Sequence, residues 1–124
     1  MLSQDVYWYL HILGVGLLIL SVGGVTLHAM SGGTKETSGG KALTAASHGL
    51  GLLLIIVAGF GMLGRMDLMA GGLPGWAWAK MLIWLTIGLL FTLPYRKPES
   101  SKLVWFGTVA LMLAAAFLAH AKPF

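Results

Sequence analysis

Apolar residues fill four long stretches of the chain, approximately residues 6–30, 43–63, 76–93 and 103–121, and short polar, glycine-rich segments separate them. A run of roughly 18 or more apolar residues is enough for a helix to cross a hydrocarbon core of about 30 Å. Lipid offers the backbone no hydrogen-bond partners, so each span is expected to be helical throughout. The connections at 31–42, 64–75 and 94–102 are too short to hold a soluble domain. The pattern predicts an all-α fold, an integral membrane four-helix bundle forming one transmembrane domain over residues 1–124.

Composition agrees, with 57% hydrophobic and only 10% charged residues. The acids Asp5, Glu36, Asp67 and Glu99 all fall in the termini or connections. Proton-coupled carriers commonly need a carboxylate at mid-membrane depth, so a carrier of that kind is disfavoured. The net charge of +4 does not indicate nucleic acid here, because the bases flank apolar spans and are explained by orientation in the lipid bilayer. Lys35, Lys41, Arg96, Lys97 and Lys102 share one side; Arg65, Lys122 and the span-end Lys80 fall on the other. The positive-inside rule then puts the first and third connections in the cytoplasm and both termini outside it. The first span has no base before it and ends at Met30-Ser31-Gly32, a poor cleavage site, and is read as retained. The chain has no cysteine, so any redox chemistry requires a bound cofactor.

Each histidine lies near a span end. Depth places His28 and His48 in one layer and His11 and His120 in the other. His11 and His28, at about 1.5 Å per residue, are roughly 25 Å apart along one helix and cannot share an ion. Within a layer, two imidazoles could approach the axial positions of one iron. The plainer alternative is that all four are boundary residues bonded to headgroups, water or loop carbonyls. Of the 18 glycines, most are expected to let helices approach closely. Gly14, Gly24 and Gly51 each lie within a turn of a histidine and could leave a smooth surface for a flat macrocycle. Met30, Met62, Met81 and Met112 are read as packing rather than as ligands. Lys80 follows Trp76 by one turn; it either snorkels to the interface or faces inward to meet a carboxylate or an aromatic tetrapyrrole. The tryptophans and tyrosines are otherwise read as an aromatic belt at span ends.

Leu10-His11-Ile12 in the first span, Gly75-Trp76 followed by Lys80-Met81 in the third, and the terminal Lys122-Pro123-Phe124 resemble the HemJ family of membrane protoporphyrinogen oxidases. The general pattern of four spans with an early first-span histidine is similar to the CopD-like and SirB-like small membrane proteins. The resemblance implies a bacterial inner-membrane bundle that binds heme b through His11, with Lys80 important for activity, in an oxidoreductase that takes six electrons and six protons from protoporphyrinogen IX. The family's Arg-x-x-x-x-His after the first span and its second-span Thr-Pro-Gly have no counterpart here. Leu93-Pro94-Tyr95 stands where the family has a late third-span histidine.

The leading expectation is therefore a heme b-binding redox membrane protein. Its candidate cofactor and iron ligands are His11 with His120 and His28 with His48, Trp76 lies at the cofactor and Lys80 is the catalytic candidate. Arg65, Lys35, Lys41 and Lys97 are candidate partners for propionates, though as loop bases they are read first as topology determinants. A tetrapyrrole or a quinone is the expected small-molecule partner, and self-association into a homo-oligomer fits the glycine content. Two alternatives stand beside it: a cofactor-free membrane partner or assembly protein, and a divalent-metal carrier or sensor built on His28 and His48.

Overall fold

Ser3 starts the first helix by accepting a 3.3 Å hydrogen bond from the Val6 amide, and Asp5 in the first turn complements the helix dipole. The structure, a computed structural model, describes residues 2–68 and 70–124. Helix α1 (Gln4–Met30) ends where Gly32 turns left-handed at φ 87°. There the Gly33 amide bonds the His28 carbonyl and the Gly32 amide the Ala29 carbonyl, the Schellman arrangement. Helix α2 (Lys41–Arg65) closes in the same way around Asp67 at φ 54°, with Leu68 bonded back to Leu63 and packed beside it.

Helix α3 (Gly75–Leu90) is followed after two residues by a short helix α4 (Leu93–Arg96) and a 3-10 turn (Pro98–Ser100), and helix α5 (Ser101–Ala121) completes the chain. The third span is thus not one unbroken helix. Pro94 has no amide hydrogen and its ring would crowd the Leu90 carbonyl one turn back, so the helix is interrupted there. Pro94 itself is buried. Among the described residues the secondary structure is entirely helical, and four helical segments are long and apolar enough to cross a membrane.

The helices run alternately up and down. The α1–α2 pair is the tightest: the Cβ that a side chain at Gly14 would carry falls 2.8 Å from the Gly51 carbonyl oxygen, and one at Gly51 falls 2.8 Å from the Gly14 carbonyl oxygen. Backbone meets backbone at this crossing, which only glycine permits. Gly14 and Gly51, each within a turn of a histidine, are therefore taken up by the packing of α1 on α2. Helix α5 packs on α1 and α3, and α3 meets α2. Where the four helices converge, Leu18, Val22, Ile87 and Val104 are buried together, backed by Leu52, Ile55, Ile83 and Phe91. A second cluster of Leu63, Trp76, Ala77 and Leu118 fills the end that carries both termini. Large side chains such as Leu103 and Leu113, each 73% exposed, cover the outside. In water such a surface would aggregate, whereas hydrocarbon is its natural solvent.

Candidate functional site at the termini end of the bundle

His11 lies on the inward stripe of α1, one turn after Tyr7 and about one turn before Gly14. Its Nδ1 donates to the Ile55 carbonyl of α2 at 3.0 Å. A carbonyl can only accept, so Nδ1 carries the hydrogen and Nε2 presents its lone pair. Nε2 makes no hydrogen bond among the described residues. The ring also rests against the bare backbone of Gly59, whose Cβ position is 3.6 Å away. One turn further along, the Tyr7 ring occupies the space a Gly61 side chain would need. Glycines on α2 thus let two α1 rings approach that helix closely.

Across the bundle, Trp76, Lys80, Ile83 and Ile87 follow one another down a single stripe of α3, and Trp76 and Ile87 are buried. Lys80 sits on that inward stripe between the two core clusters, half-buried, with no hydrogen bond or ion pair among the described residues. Lys80 and His11 thus both lie on inward stripes at the end of the bundle that carries the termini. Lys122, held left-handed at φ 46°, donates to the Ala119 carbonyl at 2.7 Å and lies 5.4 Å from the centre of the Trp76 ring. The end of the bundle therefore carries an imidazole with a free nitrogen and two ammonium groups.

The other histidines have other surroundings. His28 donates through Nε2 to the Thr34 carbonyl at 2.9 Å, with the Thr37 hydroxyl 3.1 Å from the same nitrogen, and meets the Tyr95 ring edge-on. It pins the loop that follows its own helix. His48 is buried, donates through Nε2 to the Gly88 carbonyl at 3.2 Å, and stacks on Phe91 with ring centres 3.9 Å apart. Gly88 lies in the last turn of α3, where carbonyls lack amide partners, so His48 acts there as a cap from a neighbouring helix. His48 Nδ1 has no partner among the described residues. His28 and His48 share a depth, yet each is engaged separately. His120 is exposed on α5 and makes no hydrogen bond among the described residues. No group of three or more His, Cys, Asp or Glu side chains suited to a metal ion occurs among the described residues. Arg65, Lys35, Lys41 and Lys97 are all exposed.

Sequence reasoning passed over Trp84. It lies within α3 rather than at a span end, and its indole Nε1 donates to the Leu52 carbonyl of α2 at 3.0 Å. A tryptophan in the middle of a span, whose N–H needs a partner, was the available signal. The chain was compared with family models, curated proteins and solved structures, and none of the three gives a match.

Proposed function

We propose that this chain is an integral membrane protein that binds a b-type heme at the termini end of its bundle and serves a redox reaction there. The observation that carries the reading is that His11, with Nε2 free, and Lys80, with no hydrogen bond or ion pair among the described residues, lie on inward helix faces at the same end of the bundle. An imidazole whose Nδ1–H is held by a backbone carbonyl is oriented and made more basic at Nε2, as in many metal-ligating histidines. Lys80 supplies a cation for a carboxylate on the ligand, and Lys122 a second one beside the Trp76 ring. A tetrapyrrole with propionate groups would find here one imidazole nitrogen for its iron and two cations for its carboxylates. Bound iron supplies reversible one-electron chemistry, with a potential set by burial and axial ligation. The chain's own contribution would be to orient the imidazole and to place cations for the carboxylates.

The aliphatic centre of Leu18, Val22, Ile87 and Val104 favours a second reading, a cofactor-free scaffold whose helices serve other membrane proteins. The two readings separate in one experiment. A reduced-minus-oxidised absorption spectrum of protein purified from heme-supplemented cells is expected to show a b-type α-band that His11→Ala removes and His28→Ala retains. Absence of the band in the parent would leave the scaffold. In the same reading the first and third connections face the cytoplasm, as their bases direct.

A further inference from the structure

We propose that residues 122–124 form a strap that lies across the start of α3 and gates the approach of charged solutes from water to Lys80. The strap follows from how α5 ends. Pro123 has no amide hydrogen with which to continue the helix, and Lys122 before it turns left-handed at φ 46°, so the chain leaves α5 and crosses to α3.

Its two contacts with α3 are adjacent. The Phe124 ring packs on Gly75: a Cβ there would fall 2.5 Å from a ring carbon and 3.0 Å from the Phe124 backbone oxygen, so the first residue of α3 accommodates the ring only as glycine. Lys122 lies 5.4 Å from the centre of the neighbouring Trp76 ring. Trp76 and Lys80 are one turn apart on one stripe of α3, and beyond Lys80 that stripe continues as Ile83 and the buried Ile87 of the central core. A charged solute following α3 from water to Lys80 therefore passes Trp76 first, beneath the strap.

The contacts that hold the strap down are weak ones. Both hydrogen bonds of Lys122, from its amide to the Leu118 carbonyl and from Nζ to the Ala119 carbonyl, stay within α5, and no hydrogen bond among the described residues ties 122–124 to α3. Phe124 is 68% exposed, so lifting its ring uncovers little apolar surface. The left-handed conformation of Lys122 is one that side-chain-bearing residues rarely adopt, which favours release. The strap thus exchanges between a covering and a lifted position. The proposal concerns access alone and holds whether or not heme binds.

Lys80→Cys in the otherwise cysteine-free chain, held in lipid nanodiscs without heme, places a thiol under the strap. Its rate of reaction with a charged, membrane-impermeant methanethiosulfonate tests the gate. Phe124→Ala, which removes the ring, and Gly75→Ala, whose new Cβ displaces it, should each raise that rate about tenfold or more, because a minor open state is populated at about 10% or less. Phe117→Ala, a change at an exposed α5 residue outside the strap, should leave the rate unaltered. Equal rates in the parent and both strap variants overturn the proposal. So does a parent rate matching that of Gly71→Cys in the exposed connection, or a rise of the same size in Phe117→Ala, which would mean a general loosening of the bundle.

Discussion

Three side chains hold α2 to its neighbours through backbone carbonyls or by donating to one. His11 reaches Ile55, Trp84 reaches Leu52, and His48 reaches Gly88. Inside a membrane these bonds compete with no water, but measured interhelical polar contacts are still worth only about 0.6–1.7 kcal/mol, because unfolded helices in lipid also find partners. Trp84→Phe keeps most of the ring and deletes the donor, so it should lower the unfolding free energy in mixed micelles by about 1 kcal/mol. Thr86→Val is the matched control. Thr86 is exposed and bonds only its own helix, at the Leu82 carbonyl, so the change should leave stability nearly unaltered. A loss of the same size in both variants would show that the Trp84 bond contributes nothing specific.

Helix packing depends on where small residues are placed more than on how many there are. At Gly14 and Gly51 an added Cβ falls within 3.0 Å of backbone atoms of the opposite helix, whereas at Gly16 it meets no other atom within 4 Å. Gly14→Ala and Gly51→Ala should therefore each force α1 and α2 apart and cost about 1–3 kcal/mol, the usual range for overpacking. The double variant should cost less than the sum, since a crossing widened for one methyl already has room for the other. Gly16→Ala should be neutral or stabilising by a few tenths of a kcal/mol, about what helix propensity gives. Mixed-micelle unfolding of the four variants checks the ordering, and full additivity would refute the shared crossing. The spans themselves were readable because length and apolarity are local properties. The histidine layers were readable only as depths. Direction around each helix sent His28 to its own loop and His48 to Gly88 and Phe91, and a backbone carbonyl acceptor such as Ile55 has no sequence signature. Pro94 was visible in the sequence, yet the break in the third span depended on the proline ring acting against Leu90.

For the whole molecule the open physical question is which way the bundle faces. The end with the first and third connections carries Lys35, Lys41, Arg96, Lys97 and Lys102; the other carries Arg65, Lys80 and Lys122. Lys80 lies inside α3 rather than in a connection, so its weight in orientation is smaller and the bias is larger than a bare comparison of bases suggests. The chain has no cysteine, which leaves a clean background for single-cysteine labelling. In intact cells, an impermeant maleimide should label Gly71→Cys and leave Ser38→Cys unlabelled until the membrane is opened. Replacing Arg96, Lys97 and Lys102 together by Gln leaves only Lys35 and Lys41 on that end, no more than Arg65 and Lys122 opposite. If charge sets the orientation, Ser38→Cys in that background becomes partly accessible from outside, because some molecules insert the other way up. If it stays protected, orientation comes from something other than loop charge, such as the order in which the spans insert. His11, Lys80 and Lys122 lie at the end with Gly71, so the same labels report on which side of the membrane a ligand would reach that site.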